Sequence, residues 1–177
     1  MTYSLFHYFE KEQGPFKNLS SLPLEDASQL LARLRREGQV FAGKRTDDYL
    51  EIRRDLEQRA RELFVAKGGR PRKRYPHYMT MGECVWLRSW YKQSGEIVID
   101  LDQFHEDSVS FTYGDLFPTM RYADGRPYRE QVYTKQEILE VIRVYGLPQE
   151  WNEDGSKGPE RYIEAQVWDD EAIGRFL

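Results

Sequence analysis

The chain has 177 residues, 40% of them hydrophobic and 32% charged, with a formal net charge of −4. That length fits one domain whose core needs no disulfide or metal staple, and the 25 aromatic residues exclude a disordered chain. The single cysteine, Cys84, excludes an intramolecular disulfide framework, and no uncharged apolar run nears the roughly 18 residues that span a bilayer.

Glu10, Lys11 and Glu12 stand where a secretory leader needs an apolar stretch, so the expectation is a cytoplasmic chain with no membrane partner. Residues 3–9 are an aromatic run of strand composition, closed by Gly14-Pro15 and the turn residues 18–21. A helix is predicted over 23–37. Pro23 suits its first turn, Glu25 and Asp26 favour its positive end, Leu24, Ala27, Leu31 and Leu34 form its buried stripe, and Gly38 stops it. Thr46 is the predicted N-cap of a second helix, with Asp47 and Asp48 in the first turn. Ile52, Leu56, Ala60, Leu63 and Phe64 make its apolar face, and Gly68-Gly69 ends it. The opposite face, which includes Arg53, Arg54, Asp55 and Glu57, has the mixed-sign pattern of a solvated surface.

Beyond Gly69 the sequence is irregular and basic. Trp86 and Trp90 mark a short element of undefined type. Residues 96–101 and 108–113 read as strands, and their six-residue separation predicts an antiparallel pair. Residues 114–128 read as a long loop of the kind that carries function. Thr134-Lys135-Gln136-Glu137 is a capping box opening a third helix, with Ile138, Val141, Ile142 and Tyr145 inward and Gly146 as stop. After a polar loop over 151–160, a last strand over 162–168 alternates Ile163, Ala165 and Val167 with Tyr162, Glu164, Gln166 and Trp168. The predicted architecture is a single α+β domain over 1–177, mostly antiparallel, with about three main helices.

Glu164 and Gln166, a carboxylate and an amide bracketed by aromatics, form either a ligand-facing surface or a wetted outer face. His7 is either a satisfied, half-buried ring or a ligand contact. Lys67, Arg70, Arg72, Lys73 and Arg74 suit the phosphates of a nucleotide or nucleic acid, although the acidic total argues against general nucleic-acid coating. That loop also dominates a charge split. Residues 1–93 hold 18 Lys+Arg against 12 Asp+Glu, while residues 94–177 hold 8 against 18. Asp100 and Asp102, followed by His105, have the residue types for Mg²⁺, with a charged strand end as the plainer reading. His7, His77, His105 and Cys84 show no zinc-like spacing, so no metal centre is predicted. Phosphate-loop, dinucleotide, nucleophile-elbow and zinc-protease motifs are all missing from the sequence.

Gly14-Pro15-Phe16, Ser110-Phe111-Thr112-Tyr113-Gly114-Asp115 and Gly158-Pro159-Glu160-Arg161-Tyr162-Ile163-Glu164 resemble segments of a group of proteins of unknown function from Bacillus-like bacteria, which implies no activity. Leu5-Phe6-His7, Ile99-Asp100-Leu101, Phe111-Thr112-Tyr113-Gly114 and Arg161-Tyr162-Ile163-Glu164 follow one another in an order that resembles the ADP-ribosyltransferase fold, its DNA-targeting toxin branch above all. That resemblance implies NAD as cofactor, His7 on the NAD ribose, and Glu164, with Gln166 beside it, placing negative charge where an oxocarbenium-like centre develops. It also implies Arg70, Arg72 and Arg74 at the pyrophosphate. Tyr78, Tyr91 and Tyr113 are the candidates for stacking on nicotinamide, and Tyr113 is the one placed with the site. Tyr162 departs from other branches, which carry Glu or Gln two residues before the catalytic Glu.

Three functions follow as expectations. The first is an NAD-using transferase, active or degenerate. The second is a non-catalytic binding or interaction module, motivated by aromatic richness and the charge split. The third is a metal-dependent phosphoryl hydrolase on Asp100, Asp102, His105 and Asp115.

Overall fold

The structure, a computed structural model, describes residues 2–37 and 48–177. Its strands are β1 (Ser4–Glu10), β2 (His77–Met81), β3 (Ser94–Asp100), β4 (Val109–Thr112) and β5 (Glu164–Val167). Its α-helices are α1 (Leu24–Glu37), α2 (Tyr49–Ala66), α3 (Val85–Arg88), α4 (Leu116–Arg121), α5 (Lys135–Tyr145) and α6 (Pro148–Trp151). The strands form one sheet in the order β3-β1-β2-β5-β4, with every neighbouring pair antiparallel. This is the α+β class that the pattern predicts. No helix among the described residues is long and apolar enough to cross a membrane.

Register and alternation decide what each face carries. Phe6, Thr80, Glu164 and Thr112 lie in one row across β1, β2, β5 and β4. Their sequence neighbours point the other way. That other face carries Leu5, Met79, Ile99, Phe111, Ala165 and Val167, all at most 2% exposed, and packs with Ile138 and Ile142 of α5 into the main core. The face bearing Glu164 is covered by α2 and α4, whose Leu56, Ala60, Phe64, Leu116 and Met120 cluster with Trp168.

Local chemistry explains the best-formed elements. Thr134 and Glu137 make the reciprocal capping box at the start of α5, and Gly146 ends it at φ 77, a left-handed value that costs glycine little. Asp115 caps α4 by accepting the Phe117 N–H at 2.8 Å. Ala27 of α1 is fully buried as expected, whereas the side chains of Leu24, Leu31 and Leu34, together with Gly38, Thr46 and Asp47, lie outside the described residues.

Several expectations change. The segments predicted as partners over 96–101 and 108–113 are the two edges of the sheet, because β3 pairs with β1 and β4 with β5. β2, invisible in the irregular reading after Gly69, is the strand that joins the two halves. The loop predicted over 114–128 contains α4, and the element holding Trp86 is a single helical turn. Arg53 and Glu57, predicted on a solvated helix face, are 9% and 0% exposed because that face of α2 lies on the sheet.

Candidate functional site

Around Glu164, its face of β4 and β5 carries a buried polar layer. Trp168 Nε1 donates to Ser110 Oγ at 2.9 Å, and Ser110 Oγ donates to Gln166 Oε1 at 2.9 Å. Gln166 Nε2 donates to Thr112 Oγ1 at 3.0 Å and to Glu164 Oε1 at 3.1 Å. Gln166 is thereby used at both ends of its amide. It is a fully buried connector between β4 and β5, and no donor or acceptor of it faces a ligand.

Glu164 is 6% exposed. Burial pushes its carboxyl well above the ordinary 4.5, and the neighbouring Asp115 charge adds to that, against the stabilising bond from Gln166. Asp115 accepts the Tyr162 hydroxyl at 3.1 Å. On the other side, Glu57 Oε1 accepts both Arg53 Nε at 3.0 Å and the Tyr78 hydroxyl at 2.6 Å. Its Oε2 is buried with no partner. Burial raises Tyr162 and Tyr78 well above 10, so both are neutral donors at physiological pH. As an arrangement, this layer favours the protonated form of Glu164 next to a second carboxylate. Closed beneath α2, it is a polar core layer with one unsatisfied oxygen.

The residues implied for NAD do not come together. His7 lies on the face opposite Glu164, since Phe6, not His7, shares the Glu164 row. Its ring stacks on Phe16 at 4.0 Å, accepts the Phe16 N–H at Nε2 (2.9 Å) and donates from Nδ1 to the Tyr78 carbonyl (3.0 Å). Burial lowers its pKa to about 4, and Nε2 is already occupied by a donor. This satisfied ring supports the left-handed Phe16, φ 56, rather than facing a ribose.

The basic loop sits at the far end of β5. His77 pairs with Val167, three residues or about 10 Å along the strand from Glu164. Arg72 bonds Asp169 at 2.7 Å, Lys73 bonds Asp170 at 2.8 Å, and the Arg72 and Lys73 amides donate to the Trp168 carbonyl. The charge split is thus partly closed within the chain, where the basic loop meets the acids after β5. Arg70 and Arg74 are exposed, the latter over the Tyr75 ring at 5.3 Å.

The acids considered for a metal are dispersed. Asp100 accepts from Ser4, Asp102 faces Lys135 at 3.8 Å, and His105 faces Glu171 at 3.4 Å. Among the described residues no group of three His, Cys, Asp or Glu is placed to hold a metal ion.

Two open concavities lie elsewhere. One, of about 320 Å³, runs beside Lys67, Gly68, Gly69, Glu106 and Gln136. Lys67 is bound to Glu137 at 2.8 Å and Gln136 to Glu106 at 3.2 Å, so three of its polar side chains already have partners.

The other, of about 240 Å³, is lined by Tyr113, Arg126, Pro127, Tyr128, Tyr145 and Trp151. The Tyr113 and Tyr128 centroids are 4.7 Å apart, Tyr113 and Tyr145 5.7 Å, and Tyr128 and Tyr145 5.6 Å. Tyr113 is fully buried at its floor. Its hydroxyl donates to the Gly146 carbonyl at 2.9 Å and accepts from Trp151 Nε1 at 3.0 Å. Burial raises it to about 12, so it stays neutral. Sequence reasoning names Tyr113 and the loop over 114–128 but not this cavity, whose walls come from four separated places in the chain. Comparison with protein-family models, with curated proteins and with solved structures gave no match.

Proposed function

We propose that this protein is a non-catalytic binding module that takes a small ligand in the cavity of Tyr113, Tyr128, Tyr145 and Trp151. The observation that carries this reading is the separation of chemistry from access. The carboxylates with chemical potential, Glu164 and Glu57, are shut beneath α2. The aromatic cavity is open and formed by rings held in place by hydrogen bonds. Concave, mostly apolar sites with one convergent polar group are where small ligands bind.

The NAD-transferase reading needs His7 and Glu164 in one cleft, and they lie on opposite faces of the sheet. The hydrolase reading needs clustered acids, which the described residues do not supply.

The test has two arms. Full-length protein incubated with NAD and with DNA, RNA or protein acceptors should release no nicotinamide. Small aromatic compounds should raise its melting temperature and slow amide exchange over residues 122–128. Nicotinamide release that is lost in Glu164→Gln would overturn the reading, as would a full aromatic set that moves neither observable.

A further inference from the structure

We infer that the ligand class of this cavity is a one- or two-ring planar aromatic compound bearing a carboxylate; the inference rests on the binding reading above. Size sets the first limit. At about 240 Å³ the space lies below the roughly 300–1,000 Å³ of drug-sized sites, so the occupant is small.

The walls set the second limit. The polar atoms of Tyr113 and Trp151 are already used. Tyr113 Oη serves Gly146 and Trp151, Trp151 Nε1 is spent on Tyr113, and Tyr128 Oη accepts from Arg126 Nη1 at 3.1 Å. What remains for a ligand is mostly ring surface, together with the Tyr128 O–H and the hydroxyl of Tyr145, which is 42% exposed. The three tyrosine planes are inclined to one another by 49° to 78°, which offers both faces and edges to an inserted ring. A ligand whose inner end must hydrogen-bond would lose its water without replacement.

Charge sets the third limit. Among the described residues Arg126 is the sole ionised side chain lining the space, and its side chain is 44% exposed, which puts it at the mouth. Its nearest acid, Asp124, lies 3.5 Å from Nε but is held more closely by Arg129, at 2.9 Å from Nε and 2.7 Å from Nη2. Glu160 is likewise held by Arg129. Arg126 therefore keeps most of its donor fork for a partner arriving from solvent, and a planar fork suits a carboxylate. The same cation repels a quaternary ammonium, the other usual occupant of an aromatic box.

Calorimetric titration of the full chain with indole-3-acetate, indole and phenyltrimethylammonium tests this, with the Trp151 indole N–H resonance reporting location. Indole-3-acetate should bind about ten times more tightly than indole, a difference of about 1.4 kcal/mol. Arg126→Gln should make the two equal, and Tyr145→Ala should weaken both. Equal binding of the two rings by the unaltered chain, or tighter binding of phenyltrimethylammonium, overturns the carboxylate class while leaving the binding module standing. Binding that ignores Tyr145→Ala and leaves the Trp151 resonance unmoved overturns the location. Silence from all three probes at millimolar concentration overturns the class and the binding reading together.

Discussion

Ile163, Ala165 and Val167 on one side of β5 are as buried as Gln166 and Trp168 on the other, all at 0% exposure, yet the two sides are built from opposite chemistry. The first side joins a core of aliphatic and aromatic side chains, where displacement of water suffices. The second replaces lost water contacts with named bonds: Trp168 to Ser110, Ser110 to Gln166, Gln166 to Thr112 and Glu164. Depth of burial therefore says nothing about role. A polar residue in the interior of this sheet is structural when its bonds are complete, and Gln166 meets that standard. Glu57, with one orphaned oxygen, does not.

The sharpest way to break this contrast is Arg53→Met, which strands the Glu57 charge under α2. A loss of about 3–5 kcal/mol is expected in urea unfolding. The double variant Arg53→Met/Glu57→Leu should recover most of it, because the cost lies in the unpaired charge. A double variant as unstable as the single one would show that packing of Arg53, not its charge, is what matters.

Next comes a pair on one strand. Gln166→Leu removes partners from Ser110, Thr112 and Glu164 and should cost about 1–3 kcal/mol, whereas Ile163→Leu on the apolar side should cost under about 1.5 kcal/mol. A larger loss from Ile163→Leu would reverse the ranking of the two faces.

The faces also differ in their response to pH. The folded chain keeps a proton on Glu164 above 4.5, where the unfolded chain releases it, so this carboxyl lowers stability as pH rises through that window. His7 resists protonation down to about 4 against an ordinary 6.5, so this ring lowers stability as pH falls from 6.5 towards 4. Each slope is at most about 1.4 kcal/mol per pH unit, and they oppose one another. Glu164→Gln should leave stability rising more steeply with pH between 4.5 and 6.5. A profile unchanged by that variant would mean that Glu164 ionises in the fold as it does in water. Smallest of all, Lys67→Met breaks an ion pair with Glu137 at the surface and should cost under about 1 kcal/mol, less still in high salt.

What the sequence discloses follows the range of the interaction. The α5 capping box needs only Thr134 and Glu137, three residues apart, and it is found where the motif places it. The alternation of the last strand is equally local, and its two sets of side chains do face opposite ways. Strand partners are a different matter. Nothing within residues 96–113 records that β1, β2 and β5 lie between their two strands. Arg53 and Glu57 were illegible for a related reason: an i,i+4 ion pair reads the same whether it lies on water or on a sheet. The aromatic cavity needs Tyr113, Tyr128, Tyr145 and Trp151 to converge from different elements, so periodicity gives no sign of it. The usable signal was the density of tyrosines between residues 113 and 145.

The place of β5 in the sheet order has a consequence for how the protein is made. Synthesis delivers β1, β2 and β3 within the first 100 residues, and they can zip together while the ribosome is still translating. β4 emerges next, yet its ladder partner is β5, more than 50 residues later. Until β5 is available, one edge of β2 and the β5-facing edge of β4 offer open backbone to any passing strand. A chain ending near residue 160 should therefore be sticky and dependent on chaperones, and one extended through β5 should not be.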